Sequence, residues 1–213
     1  MLTTTSKQFS CSCITLALLS FVATSSGETL VPFDQWQQKD FVGTNQFIYS
    51  RQDNTATVQI DSNKSASGLF LEQKIDLNKT PLLNWSWKIS NTLHSLKERT
   101  KGGDDYSARV YVLTSTGPFP WQKKSISYVW SNYQRVGESW PNPYTDSVIM
   151  IAVDSGKKLQ GTWQHHQRDV QKDLQAAFGK KFDKIDVIAV MTDADNSKQK
   201  TSGWYRGFEF SSK

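Results

Sequence analysis

Cysteine is nearly missing from this chain. Of 213 residues only Cys11 and Cys13 carry a thiol, and both fall in the first fifteen positions. Histidine is scarce too, at three. A zinc site would therefore have to lean on carboxylates, and the adjacent His165 and His166 would point to opposite faces of a strand. The apolar run at 14–23 is too short for the roughly 20 residues a membrane-crossing helix needs. Neither a G-x-S-x-G elbow, nor a phosphate-binding loop, nor a dinucleotide fingerprint occurs, which removes the common signatures of serine esterases and nucleotide enzymes. Charge of one sign is not in large excess either. The 25 basic and 20 acidic residues leave +5, a mild attraction to anions and no nucleic-acid footprint.

What is present begins with an address. Lys7, the apolar run at 14–23 and the small residues Ala23, Thr24, Ser25 and Ser26 read as a secretory signal peptide over 1–26, with cleavage after Ser25 or Ser26. Both cysteines then leave with it, and neither stands in the context of a lipid-modified cysteine, so no stable membrane anchor is expected. Lys7 is the only charged residue removed, so 24 basic and 20 acidic residues remain, a charge of +4. The expected mature chain, 27–213, is an exported, periplasmic or secreted protein that must hold itself together without disulfides. Its sequons at Asn63, Asn78 and Asn84 would matter only in a eukaryotic secretory route.

Aromatic residues can fill that core: 8 Trp, 7 Tyr and 11 Phe. Short runs rich in Val, Ile, Thr and aromatics predict strands at 46–51, 55–62, 68–75, 83–89, 108–113, 125–130, 147–153, 185–192 and 204–210. One helix stands out. Asp169 can cap it, Val170, Leu174, Ala177 and Phe178 recur at helical spacing, and Gly179 closes it. A shorter helix or turn is expected around 92–98. Without repeats or interior linkers, 27–213 reads as one all-β, mainly antiparallel domain, a jelly-roll-like β-sandwich with one or two short helices.

Strand parity puts Leu83, Trp85, Trp87 and Ile89 on one face and Lys88 on the other, and sets Arg109 opposite Val110 and Val112. Lys88 and Arg109 would share a polar face if their strands were neighbours. The densest polar stretch, KERTKGGDDYSAR at 97–109, offers Lys101, Asp104, Asp105 and Arg109. These can hold a sugar hydroxyl, take a cation or neutralise one another. A second stretch, 127–146, carries Trp130, Asn132, Trp140, Asn142, Tyr144 and Asp146. Its prolines at 141 and 143 stiffen a loop suited to stacking on sugar rings. A third, MTDADNSK at 191–198, holds Asp193, Asp195 and Asn196. It resembles the start of a calcium loop but lacks the spacing and the glycine, so a plain turn is expected there. Arg168 and Asp169 complete the candidate ligand-binding set, for which neither a metal nor a cofactor is expected.

Taken in order, ASGL (66–69), LNWSWK (83–88), TKGGDDYSARVYV (100–112), SYVWSN (127–132), PNPYTD (141–146), RDV (168–170), AFG (177–179) and VMTDADN (190–196) resemble the domain-of-unknown-function 3047 family of exported bacterial proteins. The resemblance covers nearly all of 27–213. It implies a β-sandwich similar to sugar-binding jelly rolls, without a particular activity. One departure stands near the end. Where the family often has a Tyr-Gly-Asp type of sequence, this chain reads Trp204, Tyr205, Arg206 and Gly207, which removes an acidic contribution from that strand.

Three functions follow as expectations. The first is a glycan- or small-ligand-binding module. The second is a glycan-active hydrolase or lyase working through paired carboxylates among Asp104, Asp105, Asp169, Asp193 and Asp195, with Arg109 or Lys88 stabilising an anion. The third is an envelope protein-interaction domain whose charged face is only solvated.

Overall fold

A computed structural model describes residues 27–213 apart from 53, 95, 116 and 118–121. The expected signal peptide, with Cys11 and Cys13, lies outside the described residues. In chain order the strands are β1 (Glu28–Thr29), β2 (Gln37–Val42), β3 (Gln46–Gln52), β4 (Thr55–Asn63), β5 (Ala66–Asp76), β6 (Leu82–Ile89), β7 (Arg109–Ser115), β8 (Lys123–Ser131), β9 (Ser139–Asn142), β10 (Thr145–Ser155) and β11 (Gln164–Asp169). The helix α1 (Val170–Phe178) and strands β12 (Lys184–Asp193) and β13 (Lys200–Ser211) follow.

Two sheets face each other as a jelly-roll-like sandwich. One runs β11-β6-β13-β4-β3, with β1 added to β13, and the other runs β2-β5-β12-β7-β8-β10-β9. Neighbours pair antiparallel except β8 and β10, which run parallel. The period-two alternation decides what lies between the sheets. Trp85, Trp87, Tyr205 and Phe210 point inward from the first sheet, and Leu69, Val110, Val112, Tyr128, Trp130 and Ile188 from the second. Trp85 meets Tyr128 at 5.4 Å and Trp87 meets Trp130 at 6.2 Å between ring centroids. Burying each such side chain contributes about 1.5–3 kcal/mol, which is how a core without disulfides is held.

All nine expected strands form, and α1 starts and stops as its caps direct. The Asp169 carboxylate accepts from the Lys172 amide, and Gly179 takes a left-handed φ of 71°. Of the helix or turn expected around 92–98, the described residues form no helix. Just beyond it, Lys101–Gly103 makes a single 3-10 turn, as Phe33–Gln35 does before β2. Strands β1, β2, β9 and β11 were not legible. β2 and β11 are polar edge strands, and β9 contains Pro141, so none shows the apolar alternation of a half-buried strand. Among the described residues no helix is long and apolar enough to cross a membrane.

The shared face for Lys88 and Arg109 is overturned. β6 and β7 follow one another in sequence but belong to different sheets, so the two cations point away from each other on opposite outer faces. Lys88 lies over the rings of Trp163 and Trp204, at 5.3 and 4.5 Å.

Candidate functional site

The outer face of the seven-stranded sheet carries a groove of about 870 Å³. Small and large residues alternate across the neighbouring strands of this face. Gly68 of β5 stands opposite Met191 of β12, and Ala189 stands opposite Tyr111 of β7, which in turn faces Ser127 of β8. A Cβ on Gly68 would come within 2.7 Å of the Val190 carbonyl oxygen and 3.3 Å of the Phe70 ring. At the β9–β10 end, the segment around 97–106 folds over the sheet. There it buries a second apolar cluster of Tyr106, Val129, Trp140, Met150 and Ala152. Gly103 permits the fold-over, since a Cβ there would overlap the Lys97 backbone.

Arg109 anchors the closed end and is 2% exposed. Its Nε donates to Asp193 Oδ1 at 3.1 Å and its Nη2 to Asp193 Oδ2 at 2.6 Å, a forked ion pair. Nη1 donates to the Tyr111 hydroxyl at 2.9 Å and lies 3.4 Å from Asp104 Oδ2, while Nη2 also donates to the Asp104 carbonyl. The guanidinium rests 4.4 Å from the centroid of the Tyr106 ring. From beneath, the buried Tyr205 hydroxyl accepts from the Arg109 amide at 3.3 Å and donates to the Met191 carbonyl at 2.6 Å. Asn142 donates to Asp104 Oδ2 at 3.0 Å, and Asp104 Oδ1 is buried with no hydrogen-bond partner among the described residues.

Electrostatics follow from the burial. Desolvation works against the Arg109 charge, but Asp104 and Asp193 outweigh it and hold the guanidinium firmly protonated. Burial pushes the Asp193 carboxyl well above its ordinary range; Arg109 opposes this, while Asp105 and Asp104 add to it. Burial likewise raises the Tyr111 phenol. Asp195 is only partly covered, and burial followed by the neighbouring Asp105 charge raises its pKa.

The expected candidates separate into groups. Asp104, Arg109, Asn142, Asp193, Asp195 and Asn196 line the groove together. Asp105 lies just behind them, fully buried. It accepts from the Asn196 amide at 3.2 Å and the Ser197 amide at 2.6 Å, so it staples the 195–198 turn rather than facing a ligand. One oxygen from each of Asp105, Asp193 and Asp195 comes within 4.8 Å of the others, the donor type a hard cation takes. Arg109 already supplies the positive charge at Asp193, and N–H donors engage both oxygens of Asp105. Lys101 sits at the rim, its ammonium 5.4 Å from the Tyr144 ring centroid.

Other candidates lie elsewhere. Trp130 is completely buried between the sheets, and Trp140 lies under the folded-over segment with Arg99 above its ring, so neither offers a face for stacking. Asn132 is scaffold. It donates to Glu98 and to the Asp105 carbonyl and accepts from the Leu93 amide. Arg168 is paired with Asp173 at 2.6 Å, Asp169 caps α1, and Asp146 is exposed where β10 begins. The aromatic walls of the groove come from other residues. Phe41 is 50% exposed on β2 and lies 6.1 Å from Phe70, while Tyr144, 56% exposed, stands at the β9–β10 turn near the far edge of the sheet. Phe41 escaped the sequence reading because β2 was not recognisable as a strand, and Tyr144 had only its place in the proline-stiffened loop to mark it.

No curated protein matches the chain in sequence. Among solved structures, the endoglucanase cel12A from Rhodothermus marinus is similar at 9% identity over 82% of this chain and 94% of that one, with a TM-score of 0.45. The xyloglucanase domain of NopAA from Sinorhizobium fredii is similar at 13% identity over 90% and 99%, with a TM-score of 0.40. Endoglucanase 3 of Trichoderma harzianum is similar at 8% identity over 84% and 97%, with a TM-score of 0.41. At such scores the likeness says nothing of what this chain does. By sequence, the family described as "Protein of unknown function (DUF3047)" matches residues 34–209.

Proposed function

This chain belongs to the Protein of unknown function (DUF3047) family, whose name assigns no activity, and we propose from the geometry of the groove that it is an exported, periplasmic protein that binds a glycan or a small polar ligand there. One observation carries the reading. The Asp104–Arg109–Asp193 cluster is buried, ion-paired and largely self-neutralised, and it stands in a groove whose walls, Phe41 and Tyr144, remain half exposed. Fixed polar groups orient hydroxyls while aromatic faces stack on sugar rings, the usual division of labour in such a site. Because Arg109 engages both Asp104 and Asp193, neither is free to act as a mobile base, which favours binding over chemistry.

Calorimetric titration of the purified protein with envelope and plant oligosaccharides tests this. Saturable binding that weakens when the groove aromatics are truncated is the expected result. Folded protein that binds none of them overturns the reading. Export is tested separately, by the N-terminal mass of the protein recovered from a periplasmic fraction.

A second reading, a glycan hydrolase or lyase, is favoured by Asp195 alone. It lines the groove, is partly exposed, and has the raised pKa that suits a general acid. Release of reducing ends that disappears in Asp195→Asn, with binding retained, supports it. Binding without any turnover removes it.

A further inference from the structure

Away from Arg109, the groove does not end at the sheet. It shares Glu72, Leu113, Lys123 and Val187 with a second cavity of about 1000 Å³, beside the ends of β5, β7 and β12 and the 180–184 segment. Five lysines line this cavity, Lys74, Lys123, Lys180, Lys181 and Lys184, against the acids Glu72, Asp183 and Asp186. Two of the five are neutralised: Lys181 lies 3.6 Å from Asp183, and Lys184 lies 2.6 Å from Asp186. Asp186 is further engaged by the Ser115 amide at 2.9 Å. Lys74, Lys123 and Lys180 form no ion pair among the described residues, and only Glu72 is left to offset them. Lys39 adds another cation on the groove wall, over the Phe41 and Phe70 rings.

The continuous trough is therefore polarised. At one end Arg109 largely neutralises Asp104 and Asp193, with Asp195 beside them, and at the other gather exposed ammonium groups that form no ion pair among the described residues. Like charges held together repel until an anion arrives, and walls of lower dielectric sharpen their field. We propose that the glycan is acidic, with its carboxylate, sulfate or phosphate groups received by Lys74, Lys123 and Lys180 and its neutral hydroxyls at the Arg109 end. This rests on the groove being the glycan site.

The test titrates the protein with an oligogalacturonate, with its carboxyl-reduced neutral twin, and with sulfated and phosphorylated oligosaccharides. Each is measured at about 0.05 M and 0.5 M salt, where screening lengths differ severalfold. An acidic ligand is expected to bind about tenfold more tightly than the neutral twin at low salt, as a few exposed ion pairs together allow. The preference should shrink at high salt and vanish in Lys74→Gln/Lys180→Gln, two lysines that line only the second cavity, while neutral binding and the urea midpoint stay as in wild type. Which of the three anions binds best identifies the source of the charge. Equal or tighter binding of the neutral twin overturns the acidic assignment and leaves the groove reading standing. Acidic binding that Tyr144→Ala and Phe41→Ala do not weaken places the anion outside the groove and also overturns it. Failure of every oligosaccharide to bind the folded protein removes the groove reading itself.

Discussion

Arg109 stands directly opposite Met191 in the β7–β12 pairing, so Asp193, two residues along on the same face, falls within reach of its guanidinium. The register, rather than any local motif, makes the ion pair. Arg109→Met leaves Asp193 and Asp104 buried without their counter-charge and should cost about 3–5 kcal/mol of stability. Adding Asp193→Asn should recover part of that loss. Urea unfolding measures both, and an Arg109→Met protein as stable as wild type would contradict the account.

The exposed aromatics have a different signature. Tyr144→Ala and Phe41→Ala should each weaken glycan binding about threefold to tenfold, the range of a single stacking contact. Since both rings are half exposed, the urea midpoint should hardly move. Trp130→Phe should do the reverse, lowering stability while leaving affinity unchanged, because Trp130 packs on Trp87 inside the sandwich.

Gly68 lies between the groove-lining Ala66 and Phe70 on β5. In Gly68→Ala the new methyl would press on the Val190 carbonyl, which cannot withdraw without disturbing the β5–β12 pairing, and on the Phe70 ring. A loss of about 1–3 kcal/mol is expected, as for overpacked sites in general. A melting temperature unchanged from wild type would show that the pairing yields.

Asp195 should give the stability a pH dependence of definite sign. Burial, reinforced by the Asp105 charge, raises its pKa above the ordinary 3.8. Just above 3.8 the unfolded chain has released the proton and the folded chain retains it, so this group's contribution to stability falls as pH rises through the raised folded-state pKa. Asp195→Asn cannot titrate. Its stability relative to wild type should therefore rise as the pH is taken upward from 3.8 in urea melts. A constant difference between the two proteins refutes the assignment.

Asp169 belongs to the helix rather than the site. Asp169→Ala removes the carboxylate that caps α1 and should cost about 1 kcal/mol, whereas Asp169→Asn keeps a capping oxygen and should cost far less. Burial alone would raise the Asp169 pKa, but Lys213 and the Lys172 amide bring it below its ordinary value. Neither variant should alter ligand affinity, which calorimetry can check.

Local pattern was enough to read the nine longer strands, the inward row Leu83, Trp85, Trp87 and Ile89, and both caps of α1, because these depend on period, propensity and capping within a few residues. It also named Asp104, Arg109 and Asp193 as candidates, and the fold brings these three into one ion-paired cluster. Partner choice was another matter. Whether β6 pairs with β7 or with β11 and β13 is decided by contacts far apart in sequence, so Lys88 and Arg109 parted to opposite faces. Trp130 and Tyr144 look alike as aromatics, yet one fills the core and the other overlooks the groove. Period-two alternation tells which residues share a face of one strand. Only the assembled sandwich decides which face is covered, because burial is a property of what packs against it.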